Sequence, residues 1–147
     1  MKSVALSTFD SVQGPVVHFF VTDGFVSEAQ KEEISSMINF KAAKDYFIVR
    51  VDQITCYNKQ FTIRASMARG KVEMLMISLV TDKFPSKKAE NYFLIEAEKF
   101  IAFMHGENYV ELVFHLEREY KPAEFQVVEQ IYEKTLQNLK DIIDRFV

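Results

Sequence analysis

The chain contains no tryptophan, one cysteine, three prolines and four glycines among its 147 residues. A lone cysteine excludes an internal disulfide and any metal cluster that needs several thiolates. Its position, Cys56, favours a small buried hydrophobic residue over a catalytic nucleophile. Glycine is too scarce to favour a phosphate-binding loop, and neither the nucleophile-elbow motif nor the zinc-protease motif occurs. These absences argue against an enzyme, so we expect no catalytic residue, no cofactor and no metal.

Neither sign of charge dominates, because 18 basic residues face 21 acidic ones and the net charge is −3. The basic residues form no long run, so the electrostatic footprint of a nucleic-acid-binding protein is missing. Lys41, Lys44, Lys87 and Lys88 could approach an anionic membrane or an acidic partner, but acidic neighbours favour solvated helix ends. No apolar run reaches the ~20 residues that cross a bilayer. We therefore expect one soluble, cytoplasmic domain over residues 1–147, with neither a nucleic-acid partner nor an integral membrane segment.

What the chain does contain begins with two apolar runs, Val4 to Phe9 and Val16 to Val21, separated by a short turn. Asp10 can hydrogen-bond the backbone of a turn, and Gly14 can adopt the positive φ that a chain reversal needs. Pro15 has no N–H and suits the first positions of a strand. This pattern predicts a β-hairpin at the start of the domain.

A helix and three strands are predicted after the hairpin. Ser27 and Gln30 have the spacing of a capping box, which predicts a helix start. The apolar stripe of this helix is formed by Ile34, Met37 and Ile38. Strands are predicted over Tyr46 to Ile54, Phe61 to Met67 and Val72 to Thr81, with a hairpin turn at Arg69-Gly70. The last strand is almost continuously apolar, which is typical of a central strand covered on both faces.

Two long helices complete the predicted fold. Ser86 is the expected start of the first, which ends near Gly106, and Pro122 suits the first turn of the second. The second helix keeps an apolar stripe from Phe125 to Phe146. The segment 107–121 fits both a strand alternation and a helical face, and we favour a helix. The predicted fold is α+β, with a five-stranded, mainly antiparallel sheet, element order β-β-α-β-β-β-α-α, and helices on both faces.

This order of elements resembles the longin domain. The first hairpin adds a short motif, F-D-x-x-x-G-P-V-V, formed by Phe9-Asp10 and Gly14-Pro15-Val16-Val17. The motif is similar to the first hairpin of longin domains in the DENN-module, folliculin and nitrogen-permease-regulator groups, and to that of single-domain longins in archaea. The similarity of layout covers the whole chain, whereas the motif covers nine residues.

The resemblance implies a binding function. Longin domains, and the roadblock domains built on a similar plan, bind Ras-like small GTPases, SNARE helices or one another, mainly through the first helix and the following edge strand. On this sequence, those surfaces correspond to Gln30, Glu33, Ile34, Met37 and Ile38 in the helix, and to Tyr46, Ile48 and Arg50 in the strand. The resemblance thus implies a non-catalytic interaction module in GTPase regulation or vesicle trafficking. Its partner would be a Ras-like GTPase, a longin or roadblock chain, or a second copy of itself as a homodimer.

An alternative hypothesis starts from the fourteen phenylalanines and six tyrosines. Most of them fall on stripes that a core would bury, but aromatic side chains also line ligand cavities. A PAS-like sensor of a small molecule likewise combines a five-stranded sheet with packed helices. A PAS domain places its helices mainly between its second and third strands, whereas two long helices follow the fifth predicted strand here. The element order therefore favours the interaction module over the PAS-like sensor.

Overall fold

A computed structural model describes residues 1–10, 14–37, 45–65, 72–108, 110–114 and 121–146 of the chain. The strands in this part are β1 (Lys2–Asp10), β2 (Gly14–Thr22), β3 (Tyr46–Val51), β4 (Ile54–Arg64) and β5 (Val72–Thr81). The helices are α1 (Glu28–Met37), α2 (Lys87–Gly106) and α3 (Pro122–Arg145), with a short 3-10 helix, Val110–Phe114, between α2 and α3. The predicted α+β class and element order are confirmed.

The strands form one antiparallel sheet in the order β2-β1-β5-β4-β3. β5 lies at the centre, and its residues 75–81 are buried, as its continuous apolarity predicted. β2 and β3 form the two edges of the sheet. The β2 edge carries Pro15 and a bulge at His18, where the register with β1 shifts between Leu6 and Ser7, and both features discourage further strand pairing. β3 pairs with β4 in an unbroken register from Tyr46 to Val51.

The first hairpin has the predicted geometry where the structure describes it. Asp10 lies opposite Gly14, and Phe9 lies opposite Pro15. Gly14 adopts a φ of +80°, which confirms the predicted positive φ. Residues 11–13 of the predicted turn lie outside the described part of the chain.

The helices divide between the two faces of the sheet, as predicted. On one face, Ile34 and Met37 of α1 pack with Ala5, Cys56 and Met76 of the strands. On the other face, α2, α3 and the 3-10 helix form a larger core with inward-facing residues of every strand except β3, whose Tyr46 packs at its margin. The two sets of residues stay apart because successive side chains along a strand point to opposite faces.

Local sequence signals account for the three helix starts. In α1, Gln30 donates its N–H to Ser27 Oγ at 3.2 Å, and Ser27 donates its N–H to Gln30 Oε1 at 3.0 Å. These two bonds confirm the capping box. At α2, Ala89 donates its N–H to Ser86 Oγ at 3.1 Å. Pro122 is the first residue of α3, where its missing N–H costs no helical hydrogen bond.

The predicted strand over Tyr46 to Ile54 is too long, because β3 ends at Val51 and a two-residue turn follows. In this turn, Asp52 adopts a φ of +53°, a left-handed conformation that aspartate tolerates better than most residues. β4 therefore begins well before the predicted Phe61 to Met67. The turn was missed because Asp-Gln lacks the glycine that usually marks a two-residue hairpin loop.

Within the segment 107–121, the described residues Val110–Phe114 form a short 3-10 helix, so this part is helical, as the sequence favoured. The apolar residues of this short helix are all buried, namely Val110, Leu112, Val113 and Phe114. Because none of them is exposed, the sequence could be fitted to the period of a strand as well as to that of a helix. Residues 115–120 lie outside the described part. In α3, Phe125 belongs to the predicted buried stripe but is exposed.

Candidate functional site

The predicted binding strand, β3, occupies one edge of the sheet. On one side it pairs with β4, and on the other side no strand of the described chain pairs with it. An edge strand offers backbone groups that can pair with another chain. β3 is therefore placed where the resemblance predicts a contact surface.

Three predicted residues of β3 point to the face that α2 covers. Tyr46 is half-buried and stacks on Phe93 of α2, with ring centroids 6.2 Å apart. Burial, together with the charge of the Glu90 carboxylate, raises the pKa of the Tyr46 hydroxyl above its usual value. Ile48 lies opposite Tyr57 in the register and remains 39% exposed. Tyr46 thus belongs mainly to the core margin, whereas Ile48 offers apolar surface to a partner.

Arg50 is held in one orientation by contacts with β4 and with the segment between β5 and α2. Its Nη1 donates to Thr55 Oγ1 at 2.5 Å and to the Lys83 carbonyl oxygen at 3.1 Å. The Thr55 hydroxyl donates to the same carbonyl at 2.8 Å. The guanidinium also lies over the ring of Phe84, 4.0 Å from its centroid. The sheet therefore presents a fixed cation next to the exposed Ile48.

Phe84 is a surface residue that the sequence analysis missed. It is 76% exposed despite its contact with Arg50. The sequence analysis places Phe84 between the last predicted strand and the helix that starts at Ser86, and assigns it no role in binding. The available signal was a large apolar side chain beside Lys83, in a connection with no stripe to bury it. Ile48, Arg50 and Phe84 together form an exposed apolar and cationic surface beside β3.

The predicted residues of α1 do not share this surface. α1 packs on the opposite face of the sheet, and Ile34 and Met37 are buried there. A partner cannot contact these two side chains in this conformation. Gln30 is exposed and takes part in the capping box, and Glu33 is partly exposed beside a cleft. Ile38 lies outside the described residues.

Of the clefts among the described residues, two bear on a possible ligand site. One, of about 730 Å³, lies between α1 and the β3–β4 turn and is lined by Glu33 and Asp52 among others. The second, of about 860 Å³, lies at the other end of the sheet, where Arg64 and His105 contribute to its wall. Neither of these clefts is the enclosed, mainly apolar cavity that small-molecule sites favour. In the described part of the chain, no group of three or more His, Cys, Asp or Glu residues could hold a metal ion.

Cys56 is buried within β4, which confirms the interpretation of this residue as part of the core. Its Sγ donates to Asn58 Oδ1 at 3.2 Å. Burial raises the pKa of the thiol to about 12, although hydrogen bonds with Asn58 and Ser78 act in the opposite direction. A thiol with such a pKa carries almost no nucleophilic thiolate at neutral pH.

Among the helices that the structure describes, none is both long and apolar enough to cross a membrane. No protein-family model matches the chain, and no curated protein matches it closely enough to count as a relative. The resemblance to longin domains therefore rests on the order of the elements and on the motif of the first hairpin.

Proposed function

We propose that the chain is a non-catalytic interaction module of the longin type. Through β3 and the side chains next to it, the module binds a Ras-like GTPase, a longin or roadblock chain, or a second copy of itself. The observation that carries this proposal is the edge position of β3 beside the exposed Ile48, Arg50 and Phe84. The described clefts give no comparable support to the PAS-like sensor.

An edge strand supports binding in two ways. Its backbone can extend the sheet into a partner strand, and its alternate side chains can provide specificity. On the α2 face, Ile48 supplies apolar area and Arg50 supplies a cation, and arginine is enriched at binding hot spots. The opposite edge, β2, carries Pro15 and a bulge at His18, so it is less suited to strand addition.

Photo-crosslinking tests whether β3 is the contact surface. A photoreactive amino acid replaces Ile48 in one variant and Ile95 in a control variant, since Ile95 is exposed on α2. Each variant is irradiated alone and with purified small GTPases, longin proteins and roadblock proteins from the source organism. We expect adducts from position 48 and none from position 95. No adduct from position 48, or equal adducts from both positions, would show that β3 is not the binding edge.

A charge reversal provides a second test of the same surface. Ile48→Glu combined with Arg50→Glu should abolish both self-association, measured by light scattering, and partner capture. Ile95→Glu combined with Arg64→Glu introduces the same change in net charge at exposed positions away from β3. Thermal unfolding establishes that both variants fold. If the β3 variant folds and keeps every association of the wild type, the binding surface lies elsewhere.

A further inference from the structure

The fold uses only part of the hydrogen-bonding capacity of Arg50. Both N–H bonds of Nη1 are taken by Thr55 Oγ1 and the Lys83 carbonyl oxygen. A guanidinium has five N–H donors, and those on Nε and Nη2 form an edge that matches a carboxylate. Among the residues that the structure describes, no acceptor bonds to this edge, and no carboxylate lies within 4.0 Å of the guanidinium. Arg50 is thus fixed through Nη1, and its Nε and Nη2 have no acceptor among the described residues.

Phe84 places an apolar surface against the guanidinium of Arg50. Its ring contacts the guanidinium of Arg50 on one side, yet most of the side chain remains exposed. The neighbouring Ile48 is also partly exposed. A fixed arginine next to an exposed aromatic ring can bind an acidic group and an apolar group at the same time.

The charges around Arg50 favour an acidic ligand. Lys83 is exposed and makes no ion pair within the described part of the chain. Lys87 lies 3.7 Å from Glu90, but this surface pair is weak and leaves the Lys87 side chain exposed. Asp82, the nearest acidic residue in sequence to Lys83, is bound by the amino group of Met1 at 2.9 Å. The local charge is therefore positive on a chain whose net charge is −3.

This contrast between local and net charge favours a short protein segment over a membrane. Charges in solution act over a Debye length of about 8–10 Å. A narrow acidic segment placed on Arg50 therefore contacts mainly the basic side chains around Arg50. A flat anionic bilayer would also approach exposed acidic residues near this end of the sheet, such as Asp52 in the β3–β4 turn and Asp82 after β5.

We propose that Arg50, Lys83, Phe84 and Lys87, called the Arg50 corner below, bind an acidic segment of a protein partner. One carboxylate of the segment accepts two hydrogen bonds from Nε and Nη2 of Arg50, while a neighbouring apolar side chain covers Phe84. The inference rests on the proposed function, because the segment lies along β3. Since the fold already orders the Arg50 side chain, binding loses little further side-chain entropy.

Peptide selection tests the chemistry of the ligand directly, whichever protein carries the acidic segment. A library of random dodecapeptides displayed on phage is selected on the wild-type chain, with counter-selection on Arg50→Gln. We expect enrichment of peptides that combine aspartate or glutamate with an apolar residue. A synthetic copy of the most enriched peptide should bind Arg50→Gln at least ~tenfold more weakly. Arg50→Lys should weaken binding almost as much, because lysine keeps the charge but loses the planar double hydrogen bond.

Matched variants separate the Arg50 corner from general surface effects. Phe84→Ser should weaken the peptide complex, whereas Phe25→Ser should not, although Phe25 is 90% exposed in the connection between β2 and α1. Arg64→Gln controls for the loss of one exposed arginine from a strand. Thermal unfolding of each variant shows whether a loss of binding reflects a loss of fold.

Three results would overturn the acidic-segment proposal. The first is enrichment of peptides without acidic residues, or equal binding of the selected peptide to Arg50→Gln. The second is that no peptide binds, and that the wild type sediments with phosphatidylserine vesicles whereas Arg50→Gln does not. The ligand is then a lipid surface. The third is a partner crosslinked from position 48 whose complex is unchanged by Arg50→Gln, which would leave the β3 proposal standing. The two proposals can also fail separately. If the selected peptide requires Arg50 but position 48 gives no adduct, the result supports the acidic segment and contradicts the β3 proposal.

Discussion

At the scale of single residues, Gly14 shows how one backbone conformation supports the first hairpin. A Cβ atom added at Gly14 would meet no atom within 4 Å, so the Cβ of a substituted residue would not clash there. The φ of +80° is nevertheless costly for a β-branched residue. We expect Gly14→Val to lower the free energy of unfolding by about 1–2 kcal/mol in urea denaturation. Gly24→Val is the control, because Gly24 also has open space around it. Equal midpoints for the two variants would contradict the role of the positive φ.

Cys56 illustrates the effect of burial on chemistry at the same scale. With a pKa of about 12, the thiol holds only about one part in a thousand of thiolate at pH 9. We expect a disulfide reagent such as dithionitrobenzoate to leave Cys56 unmodified between pH 7 and pH 9, and to react fully in denaturant. Because the folded pKa is raised, the reaction should accelerate only as the pH approaches that value. Rapid modification of the native protein at pH 7 would contradict the buried position.

At the scale of secondary-structure elements, α3 is expected to be integral to the fold. Its buried stripe consists of Val128, Ile131, Thr135, Leu139, Ile142 and Ile143. The C-terminal end is also tied to α2, because Arg145 donates to Glu96 Oε2 at 2.9 Å and Tyr92 donates its hydroxyl to the Ile142 carbonyl at 2.5 Å. Each large apolar side chain contributes ~1.5–3 kcal/mol on burial, so their sum rivals the net stability of a domain.

Deletion of residues 122–147 should therefore give an insoluble or molten product. Near-ultraviolet circular dichroism and binding of a hydrophobic dye such as ANS distinguish a molten chain from a folded one. Lys140→Ala serves as a control on the exposed side of α3 and should retain the native spectrum. A truncated chain that is soluble and unfolds cooperatively would show that α3 is dispensable for the fold.

At the scale of the whole molecule, the two faces of the sheet contribute unequally to stability. The α2 and α3 face buries the larger core, whereas the described part of α1 buries Ile34 and Met37. A region with fewer buried apolar contacts opens at lower free energy. We expect hydrogen exchange of the α1 amides to be at least ~100-fold faster than that of amides in the middle of α2. Comparable protection in both helices would mean that the fold opens only as one unit.

Local sequence patterns determined much of this fold. The capping box of Ser27 and Gln30, the N-cap at Ser86 and the proline at position 122 act on atoms a few residues away, so the sequence predicted all three helix starts. The positive φ of Gly14 was predicted for the same reason, whereas the central position of β5 was predicted from its continuous apolarity. Asp52 was missed because its turn depends on the pairing of β3 with β4 rather than on a glycine.

The candidate site depends on contacts between residues that are distant in the sequence. The residues of α1 and β3 were predicted to form one contact surface, but strand alternation and the side on which α1 packs place them on opposite faces. Likewise, no local pattern connects Arg50 with Phe84. They meet because β4 pairs with both β3 and β5, which brings the segment after β5 to the end of β3. The sequence by itself thus determined the elements, through short-range hydrogen bonding and hydrophobic periodicity. The tertiary structure decided which side chains share a surface, because strand order and helix packing join residues that local forces do not connect.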